Sequence, residues 1–262
     1  MALDGFESFS FTHDGATRTV YTLGHGPGVV VMHEIPGITP QVEEFARRVA
    51  TAGFRVYLPQ LFGVPGKPIS PAYVVGQMAR ACISREFAVL ARHEASPITD
   101  WLRALCRRAH AECGGPGVGA VGMCLTGNFA LALMLEPAVL APVLSQPSLP
   151  FGISKAHRAA LHLSDAELST VRARAAEGCT VLGLRFTGDP MCPAARFETL
   201  RRELGPHFEA IEIDSRPGNP HGIKRAAHSV LTTDLVDAEG HPTRAALDRV
   251  LGLFRERLKT TA

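Results

Sequence analysis

Short, wholly apolar runs that alternate with helix-spaced segments constrain this chain more than any other feature of its sequence. Residues 28–32 read Gly-Val-Val-Val-Met, a strand with no polar face. Such a strand is stable only in a sheet covered by helices on both sides, where parallel strands are found. A helix should follow: Thr39 can cap it, Pro40 suits its first turn, and Gly53 stops it. Within it Val42, Phe45, Val49 and Ala50 recur at helical spacing. Residues 54–58 are the next strand, and strand–helix–strand order implies a parallel pair with a right-handed crossover. The alternation continues with a helix over 97–111, a strand over 118–123, a helix over 128–135 and a strand over 179–186. A helix over 197–204, a strand over 208–213 and an amphipathic helix over 245–258 close the chain. Segments 6–11 and 17–23, joined by the turn His13-Asp14-Gly15, read as an antiparallel edge. The pattern predicts one α/β domain over residues 1–262, with a mostly parallel, doubly wound sheet and helices on both faces. Two stretches interrupt it. Residues 61–96 are irregular and then helical, placed to cover a sheet edge. Residues 145–177 form an insertion in which Ser164 and Glu167 have capping-box spacing, starting a helix that ends near Gly178. Both could cover an active site, and the second reads equally as a lid or as plain packing.

Charge excludes several function classes. Lys plus Arg is 27 against 25 Asp plus Glu, a net charge of +2, too balanced for a nucleic-acid or membrane-surface binder. No apolar stretch approaches the roughly 18 residues that span a bilayer. The first residues lack the basic start and apolar core of an export signal, so a cytoplasmic protein with free thiols is expected. The cysteines at 82, 106, 113, 124, 179 and 192 form no Cys-x-x-Cys pair and no zinc spacing. Neither a metal nor an organic cofactor is expected.

One cysteine has an unusual setting. Over residues 118–130 an apolar strand runs into Gly122-Met123-Cys124-Leu125-Thr126-Gly127, and a helix starts at once. A sharp strand-to-helix turn of this kind is the nucleophile elbow, here with Cys in place of Ser. Small residues flank the nucleophile because backbone passes close by, and the helix start favours a thiolate. The amide of Leu125 is then free to meet a developing oxyanion. The usual elbow has its second glycine two residues after the nucleophile; here that position is Thr126, and Gly127 comes one later. A buried structural cysteine at a helix start remains the competing reading of the motif.

Other polar residues fall at the same sheet edge. Glu34 lies just beyond the strand over 28–32, Asp189 just beyond a later one, and His228 after the last. Ligands of open parallel sheets bind at these carboxyl ends, and the chain order nucleophile, acid, histidine is that of α/β-hydrolases. A thiol is only partly ionised at neutral pH and needs a neighbouring base, which in turn needs a carboxylate to fix its tautomer. A carboxylate as close to the thiol as Glu34 would repel the thiolate unless protonated or moved.

On His33-Glu34-Ile35-Pro36-Gly37, Gly122-Met123-Cys124-Leu125-Thr126-Gly127, Gly188-Asp189 and Ala227-His228-Ser229, the chain resembles the dienelactone hydrolase family, cysteine hydrolases of the α/β-hydrolase fold. The resemblance covers nearly the whole sequence. It implies a Cys124–His228–Asp189 triad, an oxyanion hole from the Leu125 and Ile35 amides, and Glu34 as a carboxylate that touches the resting thiol and helps release it. It also implies Arg85 as one of two arginines that clamp a substrate carboxylate. The second would stand four residues after the histidine, where this chain has Thr232, so an anionic substrate is not assumed. His221, in a Pro/Gly-rich loop, is the alternative base, and His33 is read as packing or pocket lining. The expected activity is hydrolysis of a small ester or lactone through an acyl-cysteine, by a monomer or weak homodimer. The alternatives are a thiol-based redox or electrophile sensor, or a non-catalytic scaffold.

Overall fold

Strand pairing sets the architecture. The computed structural model describes residues 3–83, 97–148, 154 and 158–259. Eight strands, β1 (Glu7–His13), β2 (Ala16–Leu23), β3 (Gly28–Met32), β4 (Arg55–Pro59), β5 (Val118–Met123), β6 (Val139–Ser145), β7 (Val181–Phe186) and β8 (Phe208–Ile213), form one sheet in the order β1-β2-β4-β3-β5-β6-β7-β8. The pairs β1/β2 and β2/β4 are antiparallel and the rest are parallel. Strands β3, β5 and β7 are buried along their whole length, and Arg185 of β7 is the one charged residue among them. Apolar cores lie on the two sides of the sheet. Trp101, Leu105, Phe129 and Phe197 belong to one, and Phe45, Val49, Val250 and Phe254 to the other.

The described helices are α1 (Pro40–Thr51), α2 (Pro71–Ile83), α3 (Pro97–Cys113), α4 (Gly127–Ala132), α5 (Asp165–Ala176), α6 (Ala194–Leu204) and α7 (Pro242–Leu258). Thr39 caps α1 by accepting the Val42 N–H, and Ser164 and Glu167 form the anticipated capping box of α5. The helix expected over 128–135 is instead a 3-10 turn at Cys124–Thr126, α4, and a second 3-10 turn at Leu133–Leu135. α7 begins three residues earlier than its apolar stripe because the His241 ring accepts the Thr243 N–H and Pro242 fills the first turn. β6 carries Pro142, a residue that weakens any strand pattern; the strand survives beside a register shift in its pairing with β5.

Within 145–177, the described helix α5 buries Val171 and Ala175 and packs beside α4 and α6. Within 61–96, residues 61–70 are irregular and α2 follows. Arg85 falls outside the described residues. No described helix is long and apolar enough to cross a membrane.

Candidate active site

The turn after β5 is held open at great local cost in freedom. Cys124 has φ +56°, a left-handed conformation that costs a non-glycine residue about 1–3 kcal/mol and persists only where its surroundings enforce it. Three neighbours enforce it here. A Cβ on Gly122 would stand 2.1 Å from the Thr126 carbonyl oxygen, and one on Gly127 would stand 2.8 Å from Pro147 Cα. Hence both glycines are required by close backbone approach. The third neighbour is Thr126, where the motif departs from its usual form. Its buried hydroxyl accepts from Met123 N–H at 2.9 Å and lies within donating distance of Met32 O, 2.9 Å, and His33 O, 3.2 Å. A glycine could not make this link between the elbow and the end of β3. The Cys124 carbonyl accepts from Ser148 N–H at 3.0 Å, and the Asn128 amide donates to Leu125 O and Ser148 O. The sulfur-bearing residue itself is 8% exposed.

The loop after β7 presents Asp189. Buried Arg185 donates to Thr187 O at 3.1 Å and to Cys192 O at 2.9 Å, bracketing that loop. Gly188 N–H donates to Ser215 Oγ at 2.9 Å, and a side chain at Gly188 would meet the Arg225 carbonyl oxygen at 2.6 Å. Asp189 Oδ1 accepts from Met191 N–H, leaving Oδ2 at 2.7 Å from His228 Nδ1. The loop after β8 presents His228: Asp234 Oδ2 accepts the consecutive N–H groups of His228 and Ser229, at 2.8 and 2.9 Å. His228 Nε2 is buried with no regular hydrogen bond, and Cys124 acts on the ring both as a charge and as a contact. Burial opposes charging this imidazole. The Cys124 charge, the Asp189 hydrogen bond and charge, and the sulfur contact outweigh burial and hold its pKa well above the ordinary histidine value. The structure therefore brings Cys124, His228 and Asp189 together at the C-terminal edge of the sheet.

Glu34 stands beside this group, within reach of the His228 charge. It is 2% exposed, and its hydrogen bonds run to three donors. Ser229 Oγ and Gln146 Nε2 donate to Oε2 at 2.7 and 3.2 Å, and Thr232 Oγ1 donates to Oε1. Burial raises its pKa, while Thr232, Ser229 and the charge of His228 oppose that rise and Asp234 adds to it. Position 232, where the resemblance implied a clamping arginine, is thus a hydroxyl turned inward to Glu34. Sequence reading missed Gln146, Thr232 as a ligand of Glu34, Ser215 and Asp234. No motif marks them, because they act by closing hydrogen bonds between loops distant in sequence.

Ile35 follows Glu34, and its amide N–H donates to no described group. Leu125 is the second residue of the 3-10 turn Cys124–Thr126, whose first amides have no acceptor within the turn. His33 is fully buried. Its Nε2 accepts from Leu61 N–H at 3.0 Å, so Nδ1 carries the proton and donates to Glu34 O at 3.1 Å; the ring also meets Phe62 edge-on. It is a packed residue that ties the 61–62 segment to the Glu34 turn. His221 lies elsewhere, against His241 with ring centroids 5.3 Å apart. Burial pushes the Cys179 thiol up, does the same to Cys106, and takes Cys192 up to about 12. Cys192 lies near enough to feel the charges of Cys124 and Asp189, but a thiol so reluctant to ionise is a poor resolving partner. Among the described residues no cluster of three or more His, Cys, Asp or Glu could hold a metal ion.

Comparison with known proteins bears on this site. Residues 16–258 match the sequence model of the dienelactone hydrolase family. No match was found among curated proteins. Among solved structures, the chain is similar to a candidate dienelactone hydrolase of Klebsiella pneumoniae, with 18% identity, 96% of this chain and 98% of that one covered, and a TM-score of 0.64. It is also similar to a dienelactone hydrolase-like promiscuous phosphotriesterase from metagenomic libraries (16% identity, 97% and 98% covered, TM-score 0.61). A dienelactone hydrolase of Anabaena variabilis superposes with a TM-score of 0.57 at 16% identity, covering 97% and 100% of the two chains. At these identities the structural likeness speaks for the α/β-hydrolase fold, which the mostly parallel eight-stranded sheet also displays.

Proposed function

The chain belongs to the dienelactone hydrolase family, and from that premise we propose that it hydrolyses a small ester or lactone through Cys124, His228 and Asp189. Ester or lactone hydrolysis is the family's chemistry. The observation that carries it is the imidazole of His228, bonded to Asp189 at 2.7 Å through Nδ1 and electrostatically engaged with Cys124.

His228 takes the thiol proton and Cys124 attacks the acyl carbon. The oxyanion is met by the amides of Leu125 and Ile35. As the tetrahedral centre collapses, His228 returns its proton to the departing alkoxide and a thioester to Cys124 remains. Water, deprotonated by His228, then attacks that thioester and the acid leaves. Asp189 fixes the tautomer that presents Nε2 to these protons and stabilises the imidazolium that appears twice per turnover. Glu34 stands near the same imidazole and feels its charge. Held by Gln146, Ser229 and Thr232, its ionised form supports the histidine charge. No cofactor enters this scheme.

Turnover of p-nitrophenyl acetate and simple lactones by the wild type, Cys124→Ala and His228→Ala tests the reading. Loss of turnover in both variants, with folding retained, supports it. Undiminished turnover in Cys124→Ala would refute it.

A further inference from the structure

The hydrogen bonds of Gln146 join parts of the site that come from three different loops. We propose that Gln146 is a positioning residue for the hydrolysis, coupling the Glu34 turn to the turn after His228 and holding the Glu34 carboxylate as an acceptor-only, charged group beside the imidazole. The proposal rests on the triad reading above and adds a residue to it.

Geometry is the first support. Gln146 is fully buried at the end of β6. Its amide nitrogen donates to Glu34 Oε2 at 3.2 Å, and its amide oxygen accepts from Val230 N–H at 3.3 Å and from Ser145 Oγ. The orientation of the amide is forced: turned over, it would set its NH2 against the Val230 N–H, donor to donor. One side chain thus spans from the carboxylate after β3 to the backbone two residues past His228. Backbone conformation is the second support. Gln146 has φ +33°, and its own groups are pinned, N–H to Leu184 O at 2.7 Å and C=O by Ser148 Oγ at 2.7 Å. Ser148 in turn donates to Cys124 O. A strained residue kept in place by bonds on both sides, next to reacting groups, is where position is being enforced.

Electrostatics gives the consequence. Glu34 accepts from three donors, an arrangement that favours the ionised carboxyl over the neutral one. Burial works the other way and is the larger influence, so the pKa stays raised and each donor matters to how far. The charges that act on Glu34 are those of His228 and Asp234 on the loop after β8; His228 is in turn engaged by Cys124 after β5 and Asp189 after β7. His33, beside Glu34 in the chain, is kept neutral chiefly by burial. Removing the Gln146 donor tips Glu34 towards its neutral form at a higher pH and takes a negative charge away from the imidazolium.

The experiment is the pH profile of kcat/KM for a p-nitrophenyl ester, measured on the full chain for the wild type, Gln146→Met, Gln146→Glu and Thr232→Val. Losing one bond to a charged group moves the acid limb up by about one pH unit in Gln146→Met and Thr232→Val, with much of the activity recovered at the alkaline plateau. Gln146→Glu should behave in the opposite way: protonated, its carboxyl can still donate to Glu34, so activity survives at acid pH and falls as the second carboxyl ionises. If Gln146→Met does not fold, the other two variants decide. Limbs that stay where the wild type has them, with a uniform fall in kcat/KM at every pH, would overturn the proposal. Cys124→Ala, run beside them, separates the two readings. If it keeps full turnover, the triad reading fails. If it is inactive while the limbs do not move, only the role of Gln146 fails.

Discussion

Acid should weaken this fold through one histidine that takes no part in the chemistry. His33 is fully buried, and burial, with a smaller contribution from Arg18, takes its pKa down to about 4 against the bond to Glu34 O. Its Nε2 is the acceptor for Leu61 N–H, so a proton there removes a hydrogen bond as well as burying a charge. The unfolded chain, with an ordinary histidine near 6.5, binds that proton far more readily. Stability linked to His33 is therefore complete above pH 6.5 and lost as pH falls towards the folded value. The difference amounts to about 2 kcal/mol at pH 5 and about 3 kcal/mol at pH 4. A total of 5–15 kcal/mol is usual for a folded domain, so the loss is large. Glu34 and His228 have raised pKa values and act with the opposite sign, their proton-linked stability being lost as pH rises through those values. Comparison with His33→Asn cancels their contribution. Urea unfolding of both proteins at pH 7, 5.5, 5 and 4.5 should show the advantage of the wild type shrinking by about 2 kcal/mol by pH 5. A difference between the two that stays constant with pH would refute this account of the buried ring.

Four further outcomes follow from the same structure. Thr126→Val leaves the Met123 N–H buried without its acceptor and should cost about 2 kcal/mol in urea unfolding while lowering kcat; unchanged stability would count against the elbow tether. Gly127→Ala should destabilise the protein, whereas Gly76→Ala, on α2 with nothing within 4 Å of the added Cβ, should stabilise it by about 0.5–1 kcal/mol. Equal effects at the two sites would deny the tight approach of Pro147. Asp189→Asn should lower kcat by about 10³-fold and bring the His228 imidazole back towards its ordinary titration, as followed by NMR. His221→Ala, remote from Cys124 beside His241, should keep kcat/KM within about twofold, while His228→Ala loses it.

Much of the sheet was legible because β3 and β5 are apolar on both faces and β7 is apolar apart from Arg185, a pattern with few alternatives. The residue pattern assigns no range to β6, since Pro142 in its middle argues against a strand. The extra turn of α7 depends on a ring-to-backbone cap at His241, which apolar spacing does not register. At the site, residues that stand in a local motif, such as Gly122, Cys124 and Gly127, could be read from neighbours in sequence. Gln146 could not, because its meaning lies in bonds to residues 112 and 84 positions away. Thr126 looked like a defect in the elbow motif, yet its hydroxyl is what joins the elbow to β3. The hydroxyls of Ser229 and Thr232 that hold Glu34 lie far along the chain, and nothing local to Glu34 announces them.

The most direct test is to quench the protein with acid during turnover of p-nitrophenyl acetate and map the acetyl group by peptide mass spectrometry. A single acetyl on the peptide containing Cys124, absent from Cys124→Ala and accumulating when His228 is replaced only to the extent that acylation still occurs, is the predicted result. Acetylation confined to another side chain, with hydrolysis proceeding at the wild-type rate in Cys124→Ala, would contradict it.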